Sequence, residues 1–228
     1  MSSLFFGNGI AFDMFYNTRT LNIFSDASIV SKKDGFDGCY GAVAVVMDDI
    51  IDKTFRQVSD TTVNNCEVKG LRAAIDIACK YKDQFDYINI FSDSQISIFG
   101  LRDYIFKWKY NIHDHLLYTS SGKPAVNQEI FIECHNMLLY SGLYNKINLI
   151  HQSGHVDNRY SSLNQAACTF RKANGVNGKI DLNFIRYIST YNTYVDQTSR
   201  SILRRSNMRE NYYMDPIYFE AQGKINKK

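Results

Sequence analysis

Asp26, Glu67 and Asp93 each stand at the edge of an apolar run. Leu21 to Asp26 reads Leu-Asn-Ile-Phe-Ser-Asp, and Tyr87 to Asp93 repeats the pattern as Tyr-Ile-Asn-Ile-Phe-Ser-Asp. Glu67 opens a helical stretch that leads from Asn64-Asn65-Cys66 into Leu71, Ala74 and Ile75. Two strands that deliver carboxylates from their C-terminal ends, with a third acid from a helix between them, suit a divalent-cation site. Magnesium takes hard oxygen ligands, few of them from protein, with water and phosphate filling the rest.

The elements that must position these acids follow from hydrophobic periodicity and turn residues. Strands are predicted over Leu21–Ser25, Cys39–Met47, Ile50–Val58, Tyr87–Ser92 and Lys146–Ile150. Helices are predicted over Asn64–Lys80, Ser94–Trp108, Asn127–Tyr140 and Ser161–Arg171, the last ended by Asn174-Gly175. Ser31–Gly38 reads as a turn, and Tyr110–Lys123 as a loop or protrusion. Three strands joined by short turns and then crossovers through helices imply an α/β fold with a mixed sheet. The expected organisation is an N-terminal extension (1–20), a catalytic domain (21–174) and a basic, Tyr-rich C-terminal extension (175–228).

The chain has 228 residues, 45% hydrophobic and 21% charged, enough for one sizeable domain with an appendage. No apolar run approaches membrane-spanning length, and Met1–Ile10 lacks the features of a signal peptide. No membrane partner is expected. Five scattered cysteines without a CxxC pair point to reduced thiols in a cytoplasmic protein rather than to disulfides or zinc. From Gly175 onward there are nine Lys/Arg against five Asp/Glu, with 17 basic and 18 acidic residues before it. The positive excess is therefore C-terminal.

With Phe24-Ser25-Asp26-Ala27-Ser28, Tyr40-Gly41-Ala42, Asn64-Asn65-Cys66-Glu67, Ser92-Asp93-Ser94-Gln95, Trp108-Lys109, Gly122-Lys123-Pro124 with Asn127, and His151-Gln152-Ser153-Gly154 in this order, the chain resembles the ribonuclease HI family over roughly Leu21–Asn174. The resemblance implies an RNase H-like fold: a five-stranded mixed sheet flanked by helices, here with a C-terminal helical extension. It also implies metal-dependent endonuclease cleavage of the RNA strand of RNA/DNA hybrids. Two Mg2+ ions, with Mn2+ as a substitute, would sit ~3.5–4 Å apart and stabilise the attacking and leaving oxygens. Asp26 would bridge, Glu67 and Asp93 would flank it, and His151, on a mobile loop after the fifth strand, would assist proton movement or product release. Ser28, Asn64, Asn65, Gln95, Trp108 and Lys109 match positions that bind the hybrid; amides can both donate to and accept from a 2′-hydroxyl. For Asn64 and Asn65 a helix N-cap is the competing role.

The departures are as informative. The family has a fourth acid four positions after an asparagine on the last helix, but Asn158 is followed there by Ser162. A two-residue shift brings Asn164 under the pattern, an amide in place of the acid, and Asp157 is the nearest true carboxylate. A natural variant, a substituting Asp157 and an engineered Asp-to-Asn change all remain open. The protrusion segment Tyr110–Tyr118 carries no Lys or Arg. In the extension, Leu182, Ile185, Ile188, Tyr191 and Val195 fall at helical spacing, followed by Arg200, Arg204, Arg205 and Arg209. That pattern suits a helix packed on the domain with a solvated basic end, and also a phosphate grip assisted by Tyr212, Tyr213 and Tyr218. A catalytically weakened nucleic-acid-binding or scaffold module, or a nuclease acting on another duplex, is the alternative to hybrid cleavage.

Overall fold

The computed structural model describes residues 9–32, 35–154 and 160–214. Its centre is a five-stranded sheet built from β2 (Thr20–Lys32), β3 (Gly35–Val46), β4 (Asp49–Val58), β5 (Tyr87–Ser92) and β8 (Ile147–His151), in the order β4-β3-β2-β5-β8. β2, β3 and β4 pair antiparallel, whereas β5 and β8 join β2 in parallel. β2 is central and covered on both faces, so every residue from Thr20 to Asp26 is buried. That is why its sequence reads as a nearly continuous apolar run instead of an alternation.

Helix α1 (Val63–Tyr81) follows β4 and lies on one face of the sheet. Its buried residues Val68, Leu71, Ala74, Ile75 and Ala78 pack with Leu21, Ile23, Ile88 and Ile90. The same layer receives α2 (Gln95–Phe99) and α3 (Gln128–Tyr140). The helical run predicted after Asp93 does extend to Lys107, but its pitch changes from α to π over Gly100–Tyr104 and then to 3-10 over Ile105–Lys107. Gly100 permits close packing there: a Cβ would collide with the Phe131 ring.

The other face is covered by α4 (Leu163–Asn174) and α5 (Leu182–Met214), with the short parallel pair β1 (Gly9–Ile10) and β9 (Lys179–Ile180) at its margin. Phe24 and Phe91 stack at 4.9 Å between ring centres, and Tyr191 of α5 stacks on Phe24 at 5.3 Å. Phe184, Ile185, Ile188 and Val195 complete this second core. The C-terminal extension therefore closes the sheet.

One polar feature ties the sheet to this layer. Asn22, Asn89 and Asn148 occupy register positions on three adjacent parallel strands. Asn148 Nδ2 donates to Asn89 Oδ1 at 2.9 Å, and Asn89 Nδ2 donates to Asn22 Oδ1 at 3.0 Å. Asn22 Nδ2 then donates to the Phe15 carbonyl and the Tyr187 hydroxyl. Buried amides are tolerated because they satisfy one another.

Two local expectations change. The turn predicted over Ser31–Gly38 is mostly strand, with Lys32 paired to Gly35. Gly38 is there for packing: a Cβ would lie 2.6 Å from Cys66 Sγ and 2.9 Å from Thr61 Cγ2. The predicted protrusion contains a small hairpin, β6 (Lys109–Asn111) with β7 (Leu116–Tyr118).

Candidate metal centre

β2 and β5 stay paired through Ser25 and Ser92, and the next residue of each chain segment is an aspartate. Asp26 and Asp93 thus emerge side by side where the parallel pairing ends, the place at which open α/β sheets present ligand sites. α1 adds Glu67 from its first turns. Thr62 caps that helix by accepting from the Asn65 backbone N–H at 3.2 Å. Gly70 allows the close approach, because a Cβ would lie 3.3 Å from the Asp26 carbonyl oxygen. One carboxylate oxygen from each of Asp26, Glu67 and Asp93 falls within 4.8 Å of the other two.

Three acids this close oppose one another's ionisation. Burial, then Asp93 and Glu67, holds the Asp26 carboxyl well above the usual carboxylate range, although the Ala27 N–H donates to it at 2.7 Å. Burial, then Asp93 and Asp196, pushes the Glu67 carboxyl up to about 8. Glu67 Oε2 is buried and has no hydrogen-bond partner. An oxygen cluster with an orphaned buried acceptor and mutual repulsion fits a hard divalent cation, which would supply both the missing partner and the missing charge.

The other expected site residues are placed as follows. His151 is the last residue of β8, paired with Ser92, and only 6% exposed; it is not on a mobile loop. Asn174 clamps its backbone, accepting from the N–H and donating to the carbonyl. Its Nε2 lies 3.2 Å from the Asp93 carbonyl oxygen, and its ring packs 5.5 Å from Phe99. Ser28 is buried and donates to Asp196 Oδ1 at 3.3 Å. Asn64 and Gln95 are exposed in the first turns of α1 and α2. Since Thr62 is the N-cap, neither asparagine does the capping. Asn65 accepts from Thr61 Oγ1 and donates to Asn127 Oδ1 at 2.9 Å. Trp108 packs edge-on against Phe131 in the core layer, leaving Lys109 exposed beside it.

Asn164 lies elsewhere. α4 is capped by Ser162 and buries Ala166 and Phe170. Two residues before Ala166, Asn164 is turned about 200° from that inward face. It is exposed and lines a cleft with Ile10, Met14, Arg171 and Asp181 that holds none of the three acids. Its placement does not support the expected metal contact. Asp157, like His155, lies outside the described residues.

Two site neighbours were not among the expected site residues. Gly154 sits against Asp93, where any Cβ would overlap the Oδ2 atom. Asp196 of α5 is 6% exposed, and its charge acts on both Asp26 and Glu67.

The sheet order, the crossover helices and the acids at the end of the central parallel pairing define an RNase H-like fold. The RNase H family model matches residues 18–172, and the chain belongs to that family. Ribonuclease HI of Haemophilus influenzae is 30% identical over 145 residues, covering 64% of this chain and 84% of the relative. Among solved structures, the chain is similar to RNase H1 from the halophilic archaeon Halobacterium salinarum NRC-1 (20% identity, TM-score 0.42, 66% of this chain and 98% of that one). It is also similar to the PFV RNase H domain (13% identity, TM-score 0.48, 71% and 94%). No helix among the described residues is long and apolar enough to cross a membrane.

Proposed function

We propose that the chain is an endoribonuclease that hydrolyses the RNA strand of RNA/DNA hybrids with Mg2+, for which Mn2+ substitutes. The observation that carries this reading is the convergence of Asp26, Glu67 and Asp93 within 4.8 Å, with Glu67 Oε2 buried and unpartnered, in a chain of the RNase H family. Bound cations would activate water and stabilise charge on the transferred phosphate. Asp26, on the central strand, would hold the cations together with Glu67 and Asp93. His151 holds the Asp93 main chain from below. Asn64 and Gln95, exposed at two adjacent helix starts, offer amides to the minor-groove hydroxyls that distinguish RNA from DNA. Lys109 contributes phosphate attraction. The five unpaired cysteines fit a cytoplasmic setting.

The test is incubation of the protein with end-labelled RNA/DNA hybrid, duplex RNA and duplex DNA, with Mg2+, Mn2+ or chelator. Metal-dependent cutting of the hybrid alone is expected. Tight hybrid binding without cutting would favour a weakened binding module, and cutting of another duplex would reassign the substrate.

A further inference from the structure

We propose that Asp196, carried by the C-terminal helix beyond the family-matched segment, is a fourth carboxylate of the metal centre and accepts a hydrogen bond from a metal-bound water. The inference rests on the metal reading above and adds the residue that completes the site's charge.

Geometry comes first. Side chains alternate along β2, so Asn22, Phe24, Asp26 and Ser28 share one face. Three of these four touch α5: Asn22 meets Tyr187, Phe24 stacks with Tyr191, and Ser28 donates to Asp196. Asp26, between Phe24 and Ser28, therefore faces the helix at the level of Asp196. The inward stripe of α5 records the same crossing. It begins apolar with Phe184, Ile185 and Ile188, carries Asn192, Asp196 and Ser199 beside the buried Val195, and returns to apolar at Leu203. Asn192 accepts from Gln152, the residue after His151, so this polar stretch lies along the site.

Energetics comes second. Burying a carboxylate beside two others is costly without a cation. Asp196 has an internal partner: Arg200, one turn along, donates to Oδ1 at 2.7 Å. The Arg200 side chain is 51% exposed, however, so this pair is partly solvent-screened, whereas the Asp196 side chain is only 8% exposed. A purely structural anchor at this point would be served better by an apolar residue. Asp196 falls outside the group of acids within 4.8 Å, which suits contact through water rather than direct ligation. Magnesium characteristically keeps several waters, and carboxylates hydrogen-bonded around its ligands set affinity.

The experiment is calorimetric titration of the full-length protein with Mg2+ and with Mn2+, without substrate, for wild type, Asp196→Asn, Arg200→Ala and Ser28→Ala, alongside metal-free melting curves. Asp196→Asn is expected to weaken cation binding about tenfold or more. Arg200→Ala is expected to tighten it about two- to fivefold, by removing a competing cation. Unchanged affinity in Asp196→Asn would overturn the proposal while leaving the three-acid site intact. Absence of any binding by wild type would remove the metal reading itself, and this inference with it. If Asp196→Asn does not fold, Arg200→Ala decides: weaker cation binding in that variant would mark the pair as structural and overturn the proposal. Lower melting of Ser28→Ala with full affinity would assign the serine, not the acid, to anchoring the helix.

Discussion

Replacing Glu67 by glutamine should stabilise the metal-free protein at alkaline pH and abolish its stabilisation by magnesium. Burial and the nearby acids raise the Glu67 carboxyl from an ordinary 4.5 to about 8. Between those values the folded chain holds a proton that the unfolded chain has released. The folded state therefore binds more protons there, and stability falls as pH rises through the window. At about 1.36 kcal/mol per pH unit, the full displacement corresponds to about 5 kcal/mol. The neighbouring acids act on one another, so about 2 kcal/mol is the expected share released by neutralising Glu67 alone. Glutamine keeps the shape, and the unpaired Oε2 means that one unsatisfied polar atom is present in either variant. For a chain of this size about 2 kcal/mol is about 4–8 °C in Tm. The assay is thermal unfolding of both proteins in chelator from acid to alkaline pH, repeated with Mg2+. The gain of the variant should be near zero at about pH 4 and grow toward pH 8 and above. Added Mg2+ should raise the Tm of wild type only. A Glu67→Gln protein no more stable than wild type at pH 8 in chelator would refute the argument that the site stores repulsion for a cation to relieve.

Gly154→Ala should displace the Asp93 carboxylate, because the new Cβ would overlap Oδ2; the expected result is loss of Mg2+ binding in calorimetry with Tm changed little. Asn89→Leu breaks the asparagine ladder in its middle, leaving Asn22 Oδ1 and Asn148 Nδ2 unsatisfied. Urea unfolding should show a loss of about 2–5 kcal/mol. Arg204→Ala with Arg205→Ala removes two exposed cations at the basic end of α5; if they grip phosphate, hybrid affinity falls and the slope of log affinity against log salt drops by about one to two. An unchanged slope assigns them to solvent. Deleting everything after Asn174 is not an equivalent test, because it also strips Phe184, Ile185, Ile188, Val195 and Leu203 from the core and should unfold the protein.

Much of the centre was legible because its pattern occurs twice. The Phe-Ser-Asp endings at Asp26 and Asp93 lie on parallel neighbours paired Phe24 to Phe91 and Ser25 to Ser92, so a repeated string became a repeated position. The mixed character of the sheet followed from short turns and then helical crossovers. What was not legible depended on contacts far apart in the chain. Gly35 and Gly38 look like turn residues, but the Gly38 position is set by Thr61 and by Cys66 of a later helix. His151 looks like a loop residue because it ends an apolar run, but hydrogen bonds from Asn174 and pairing with Ser92 keep it in the strand.

The fourth acid shows the same limit in sharper form. Reading the helix after the histidine segment pointed to Asn164, and the capping of α4 at Ser162 turns that amide outward. Asp196 lies four residues before Arg200 on a helix, a spacing that ordinarily describes a surface ion pair and does not mark a site. The available signal was the spacing of Asn192, Asp196 and Ser199 between Ile188 and Leu203. These three polar residues continue an apolar stripe at steps of three and four, so they must face inward with it. Inward-facing polar residues on a helix that crosses a sheet need a reason in what the sheet presents. Here the sheet presents Asp26 and Ser28, which makes α5 part of the metal centre's wall as well as the cover of its core.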